Sequence, residues 1–316
     1  MSSPEGPPKV TGPVLIMAGP TAVGKTTLAV SVAEAVGAAV VSADSRQVFR
    51  GMTVGTASPT AEDRERVPHR LFGELEPALA YSAGGYRDDC QSAITELHRT
   101  GIPALVTGGS TLYIHALVRG IADLPALTPD VLEHVQAEAQ DPQGRSALFA
   151  ELSRADPEGA RTLDPTKSQR LVRLVGLLRQ TGTPPSELWE RGRRPPLPHR
   201  LIVLDRPRSE LYHRIDERVD VMFAEGIMDE TRDLLSAGPG VRALLDSTIG
   251  YREVAAMLDG SLTETEARRL IKRNTRRYAK RQLTWFRRYD EAVWLDARTA
   301  SVEEVLAAAA PWPSMA

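Results

Sequence analysis

The eight residues Gly19-Pro20-Thr21-Ala22-Val23-Gly24-Lys25-Thr26 constrain this chain more than any other stretch. They fit G-x-x-x-x-G-K-[ST]. An apolar run, Val14 to Ala18, precedes them, and an Ala- and Val-rich helical pattern runs from Thr26 to Val36 and closes at Gly37. Glycine lets the backbone curl so that successive N–H groups face phosphate oxygens, and the helix N-terminus adds its dipole. Lys25 supplies a mobile cation for a terminal phosphate, and the Thr26 hydroxyl can ligate Mg²⁺. Residues 19–26 are therefore expected to hold a diphosphate or a triphosphate. The motif does not say what carries the phosphates.

The elements around the loop set the fold class. Ala39–Val41 reads as a second strand ending near Asp44, Ser82–Thr100 as a long helix, and Ala104–Thr107 as a third strand running into Gly108 and Gly109. Strands alternating with helices predict an α/β fold: a P-loop NTPase-like parallel sheet core flanked by helices. From Asp123 to Pro198 the character changes. Pro125, Pro129, Pro142, Pro157, Pro165, Pro184 and Pro185 punctuate short helical stretches with no β-rich run, which predicts a small all-helical insertion domain. Leu201–Asp205 resumes as a strand. Helices are expected over Ser209–Ser236 and about Thr263–Arg288, with a last strand at Val293–Leu295. The expected division is a disordered tail over 1–13, a catalytic core over 14–122 and 199–316, and an insertion over 123–198.

Composition narrows the class further. One cysteine, Cys90, excludes an intramolecular disulfide framework and a multi-cysteine zinc site, and its helical spacing to Ile94 and Leu97 reads as packing. The apolar run before the phosphate loop is five residues long, too short for a membrane span or a signal-peptide core. A cytoplasmic monomer is expected. The net charge of −2 hides an uneven distribution. Between Ser261 and Arg288 stand ten Arg or Lys against Glu264 and Glu266, with no acid from Ala267 through Arg287. Such an excess fits a polyanion such as nucleic acid; the alternative is a solvated helix face. Ile271, Tyr278 and Trp285 recur every seven residues and read as a packing stripe, whereas Arg269, Arg273, Arg276 and Lys280 follow another face and would meet phosphates.

The third strand ends Val106-Thr107-Gly108-Gly109, without the acid that holds Mg²⁺ in a kinase or NTPase. The nearest acid is Asp44, at the carboxyl end of the second strand, where ligands of open α/β sheets bind. It could hold metal water, serve as a general base, or simply cap a turn. Arg214 and Arg218 lie one helical turn apart and share a face. They could meet phosphates or form a surface network with Asp216 and Glu217. His69, after Pro68 in a loop, reads equally well as a turn residue or a substrate contact and is given no catalytic part.

The run Asp44-Ser45-Arg46-Gln47-Val48-Phe49-Arg50-Gly51-Met52-Thr53-Val54-Gly55-Thr56-Ala57 closely resembles the tRNA dimethylallyltransferase (tRNA isopentenyltransferase) family. Val67-Pro68-His69, Tyr81-Ser82-Ala83, Gly108-Gly109-Ser110-Thr111-Leu112-Tyr113, Ile249-Gly250-Tyr251-Arg252-Glu253 and Thr275-Arg276-Arg277-Tyr278-Ala279-Lys280-Arg281-Gln282-Leu283-Thr284-Trp285 match in order. The resemblance spans about residues 14–296. It implies transfer of a dimethylallyl group from dimethylallyl diphosphate to N6 of the adenosine 3′ to the anticodon in tRNA, with release of diphosphate, and it makes the loop a holder of an isoprenyl diphosphate rather than ATP.

For that reaction the poorly basic N6 amine needs a proton acceptor, and Asp44 is the candidate general base. Lys25, Thr26 and Ser110 are placed to meet the developing diphosphate charge, as is one of Arg214 and Arg218, of which the resemblance favours Arg218. Mg²⁺ would be the cofactor, on Thr26. The anticodon stem-loop would meet Asp44, Ser45, Arg46 and Gln47 at a flipped nucleotide. Further contacts would come from Gln169, Arg170, Leu171, Val172 and Arg173, from Gly250 and Tyr251, and from Arg276, Lys280, Arg281 and Gln282. Three positions depart from the family pattern: Ser110 for Thr, Arg70 for a second His, and Leu132 for an Arg. A P-loop kinase explains residues 14–37 but not the basic segment. A non-catalytic RNA-binding protein leaves Lys25, Thr26 and Asp44 unexplained.

Overall fold

The structure is a computed structural model that describes residues 12–161, 163–164 and 168–313. Residues 1–11 of the expected tail lie outside the described residues. In chain order the first segment holds β1 (Val14–Ala18), α1 (Lys25–Val36), β2 (Ala39–Ser42), α2 (Ala61–Arg66), β3 (His69–Arg70), α3 (Ala83–Arg99), β4 (Ala104–Gly108) and α4 (Thr111–Val118). The insertion holds β5 (Ile121–Ala122), α5 (Pro129–Glu138), α6 (Pro142–Ala155), α7 (Pro157–Arg161), α8 (Ser168–Thr181), α9 (Pro185–Arg191) and β6 (Arg193–Arg194). The chain then continues with β7 (His199–Asp205), α10 (Arg208–Ala224), α11 (Ile227–Ser236), α12 (Pro239–Asp246), α13 (Tyr251–Leu258), α14 (Glu264–Phe286), β8 (Val293–Asp296) and α15 (Val302–Ala309).

Six strands form one sheet in the order β3-β2-β4-β1-β7-β8, every neighbouring pair parallel. β1, β2 and β4 are buried at every residue. That explains their continuous apolar sequences: a parallel sheet covered on both faces has no polar side to alternate with. Leu15, Met17, Val40 and Leu105 pack on one face against Ala29, Val32 and Ala33 of α1. Parallel connections bring every strand's carboxyl end to one edge, and the phosphate loop, Asp44 and Gly108-Gly109 all lie there.

The described residues fall into two compact units, one made of the two segments up to 119 and from 197 onward, the other within residues 120–196. The sequence-based boundaries of 123 and 198 differ by a few residues, because the insertion begins and ends in a two-residue antiparallel ribbon, β5 with β6. The insertion is therefore not all-helical. Two-residue strands carry no periodicity for a sequence reading to detect. Its core gathers Val135, Leu148, Leu152, Leu171 and Val175. Pro129, Pro142 and Pro185 open helices rather than break them. Asp156, 2% exposed, accepts from the Gly159 and Ser186 N–H groups and from the Ser186 hydroxyl, joining α7 to α9.

The region between Ser236 and Thr263, left without an element in the sequence reading, contains α12 and α13. Eight-residue helices span too few turns for a clear pattern. Among the described residues no helix is long and apolar enough to cross a membrane. Cys90 is fully buried, as its spacing predicts.

Glycine is required where β2 and β4 end. A Cβ on Gly108 would stand 2.2 Å from the Ala43 carbonyl oxygen, and the Ser110 N–H donates to that same oxygen at 3.1 Å. We predict that Gly108→Ala costs about 2–3 kcal/mol, the usual scale of overpacking. Urea unfolding checks it, and a wild-type midpoint would contradict the close approach.

Candidate active site

The phosphate loop packs tightly beneath a cavity of about 950 Å³. A Cβ on Gly19 would sit 2.8 Å from the Leu204 carbonyl oxygen of β7, and Gly24 takes φ 110°, which favours glycine. Thr21, Ala22, Gly24, Lys25 and Thr26 line the cavity, while Gly19, Pro20 and Val23 form the frame behind them. The Lys25 ammonium donates to the carbonyls of Gly19 (3.0 Å) and Pro20 (2.8 Å). Burial drives its pKa down to about 7; Asp44 opposes the shift and Arg218 adds to it.

Asp44 lines the same cavity. Its Oδ1 accepts from the N–H groups of Arg46 (2.8 Å) and Gln47 (3.3 Å), so the turn-capping reading holds for that oxygen. No hydrogen bond to Oδ2 is found among the described residues. Arg218 comes from α10, with Nη1 donating to Thr21 Oγ1 (3.3 Å) and Nη2 to the Thr56 carbonyl (2.7 Å). Its Nε is buried with no partner among the described residues, and burial lowers the guanidinium pKa against the pull of Asp44. Arg214, also on the cavity wall, donates from Nε to the Ala22 carbonyl at 2.9 Å. Among the described residues no ion pair joins these arginines to Asp216 or Glu217. Asp216 pairs with Arg276 and Glu217 with His213.

Several expected site residues lie elsewhere. Ser110 is 8% exposed, is not on the cavity wall, and makes no side-chain cap to α4; Gly108 and Gly109 form that part of the wall. Gln282 is 2% exposed. Though on the cavity wall, it is committed within the protein: its Oε1 accepts the Thr21 N–H (2.9 Å) and its Nε2 donates to the Gly109 carbonyl (2.7 Å), which braces the phosphate loop. Tyr251 is fully buried, with its hydroxyl on Glu230 at 2.6 Å, and Gly250 opens α13 with its N–H on Glu253. Leu171 and Val172 lie in the insertion's core. Gln169 and Arg170 are exposed, while Arg173 donates to the Pro125 carbonyl at 2.7 Å.

The basic helix α14 divides in a way its own sequence does not reveal. Arg276 pairs with Asp216, and Lys272 (2.7 Å) and Arg268 (3.3 Å) pair with Asp220, both acids on α10. Acids missing along the helix are supplied across its contact with another. Among the described residues, Arg269, Arg273, Arg277, Lys280 and Arg281 have no carboxylate within ion-pair distance, and all five are exposed. Tyr278 is not core: it lines the cavity together with Arg277 and Arg281. The buried stripe runs through Ala267, Ile271, Ala279, Gln282 and Phe286.

Ser45, Arg46 and Gln47 line the cavity beside Asp44. Gln47 Nε2 donates to the carbonyls of Thr56 (3.1 Å) and Ala57 (3.2 Å). His69 belongs to the edge strand β3 rather than a loop, with Nδ1 on the Val67 carbonyl at 2.8 Å. The sequence reading missed the roles of Gly55-Thr56-Ala57 as wall and of Glu230 behind it. Nothing local marks Glu230, because its backbone partners are about 175 positions away in the chain and Tyr251 is 21 away.

A family model described as IPP transferase matches residues 47–289, and one described as isopentenyl transferase matches residues 12–72. A tRNA dimethylallyltransferase of Salinibacter ruber is 42% identical over 96% of this chain and 94% of its own length. Another, of Geobacter metallireducens, is 41% identical over 90% and 92%. Among solved structures, the tRNA isopentenylpyrophosphate transferase of Bacillus halodurans superposes with a TM-score of 0.66 at 35% identity, covering 93% of each chain. A eukaryotic dimethylallyltransferase acting on tRNA gives 0.75 at 25% identity, covering 90% of this chain and 74% of its own. Matched along nearly its whole length to proteins carrying one activity, the chain belongs to the tRNA dimethylallyltransferase family.

Proposed function

We propose that this protein transfers the dimethylallyl group of dimethylallyl diphosphate to N6 of the adenosine 3′ to the anticodon in tRNA. The observation that carries the reading is the convergence of the phosphate loop, Asp44 and Arg218 on one cavity. In the displacement, the N6 lone pair forms a bond to the allylic C1 of the donor, and the C1–O bond breaks to release diphosphate. The N6 proton passes to Asp44, whose Oδ2 is not committed to the turn. Negative charge grows on the leaving oxygens, and stabilising it is the main catalytic task. Lys25, Arg218 and the loop N–H groups supply that stabilisation. The target base must leave its stack to reach the cavity, at a cost of roughly a few kcal/mol.

Among the described residues no group of three or more His, Cys, Asp or Glu could hold a metal. Thr26, at the head of α1 and on the cavity wall, would offer its hydroxyl to Mg²⁺. The ion would neutralise diphosphate charge there. The exposed cations Arg269, Arg273, Lys280 and Arg281 would meet the RNA backbone, with Arg170 on the insertion.

Transfer of labelled dimethylallyl groups to an anticodon stem-loop tests the reading. Label is expected on the target adenosine, falling about a hundredfold in Asp44→Ala, the scale of general-base catalysis. Phosphoryl transfer from ATP without any prenyl transfer would overturn the proposal, and full label in the mutant would reduce Asp44 to its turn-capping role.

A second prediction follows from Lys25. In the free protein this ammonium loses its proton as pH rises through about 7. A bound diphosphate raises that pKa, so affinity is complete below pH 7 and falls by up to about tenfold per unit above it. Calorimetry at pH 8 in two buffers of different ionisation enthalpy should register proton uptake on diphosphate binding, lost in Lys25→Met. Equal heats in both buffers would contradict the assignment.

A further inference from the structure

Behind the cavity wall stands a half-buried carboxylate that the mechanism above does not use. Glu230, in the first turn of α11, accepts five hydrogen bonds. Oε2 takes the Thr53 N–H (2.9 Å), the Thr53 hydroxyl (2.5 Å) and the Val54 N–H (2.7 Å). Oε1 takes the Gly55 N–H (2.9 Å) and the Tyr251 hydroxyl (2.6 Å). Burial alone would raise its pKa, but these donors outweigh it and hold the carboxyl below its usual range. The Tyr251 ring lies so close that a Cβ on Gly55 would be 2.5 Å from it. Three successive N–H groups are thus fixed on one anion.

The next residue faces the chemistry. The Thr56 carbonyl accepts from Arg218 Nη2 at 2.7 Å and from Gln47 Nε2 at 3.1 Å. Apart from it, the one hydrogen bond found for Arg218 among the described residues goes to Thr21 Oγ1 of the phosphate loop. The direction of the guanidinium is therefore set by two acceptors, and one of them is placed by the Glu230 clamp. Thr56 is also held from inside its turn, its hydroxyl donating to the Met52 carbonyl at 2.7 Å.

We propose that Glu230 is a positioning residue: by anchoring the Thr53–Gly55 backbone it fixes the Thr56 carbonyl that aims Arg218 at the leaving diphosphate. The assignment rests on the transferase reading for its reaction, but not for its geometry. Only an ionised carboxylate suits the site. A glutamine there, in either orientation, turns an NH₂ group toward donors that need an acceptor. The loop is then pushed away and the Thr56 carbonyl goes with it.

A double-mutant cycle separates positioning from general support. Glu230→Gln is expected to lower kcat at least about tenfold, with KM for dimethylallyl diphosphate changing far less, because Arg218 acts on charge that develops in the transition state. In an Arg218→Lys background the same change should alter kcat by less than about twofold. Thr53→Ala, which removes one donor and keeps the backbone, should produce a smaller loss with the same dependence on Arg218, and it serves if Glu230→Gln does not fold. Equal losses in both backgrounds would overturn the proposal. The cycle is repeated on inorganic diphosphate affinity by calorimetry, which needs no transfer. Non-additive affinities with an inactive wild type would sink the reaction while leaving Glu230 in place. Additive affinities with an active wild type would sink Glu230 alone.

Discussion

The site depends on one buried carboxamide. Gln282 reaches from α14 to accept the Thr21 N–H of the phosphate loop and to donate to the Gly109 carbonyl beyond β4. It joins two strand ends to a helix more than 170 residues further along the chain. A Cβ on Gly109 would stand 2.5 Å from Gln282 Nε2, so a side chain there would displace the bridging amide. A buried amide with both ends satisfied specifies one arrangement, because leaving either end unpaired costs about 1–3 kcal/mol. Once α14 is fixed by this bridge, Arg277, Tyr278 and Arg281 are carried to the cavity wall.

Charge is organised by the same helix pairing. α10 contributes Arg214 and Arg218 to the cavity, while its Asp216 and Asp220 hold Arg276, Arg268 and Lys272 of α14. The cations that remain without carboxylate partners stand on the exposed surface, available to a polyanion. Within the cavity, Lys25 and Arg218 share Asp44 as their opposing charge, and both have pKa values lowered by burial. A cavity that holds cations at such a cost favours an anionic ligand, whose arrival relieves it.

Much of this was legible in the sequence where the chemistry is local. The phosphate loop, its flanking strand and helix, and Asp44 at the end of β2 are each written in a few consecutive residues. What escaped depends on which helix face is turned inward. Gln282 and Tyr278 look alike as positions on a basic helix, and both reach the cavity wall, yet Gln282 is buried and hydrogen-bonded to the phosphate loop while Tyr278 is only partly buried. Tyr251 and Ser110 sit in motifs of the family and are enclosed all the same. Apart from Glu264, which pairs with Arg268 one turn away, the acids found to neutralise α14 among the described residues lie on α10, beyond any pattern within the helix. Glu230 has no local signature because the four residues that donate to it come from the 53–55 loop and from α13.

The central claim is that the phosphate loop holds an isoprenyl diphosphate. Its most direct test is thermal stabilisation of the wild-type protein by dimethylallyl diphosphate and by ATP, each with Mg²⁺. A ligand at a hundred times its Kd stabilises by about 2.7 kcal/mol, so a clear rise in melting temperature is expected with dimethylallyl diphosphate and a far smaller one with ATP at equal concentration. A larger rise with ATP would contradict the account and favour a phosphoryl-transfer enzyme.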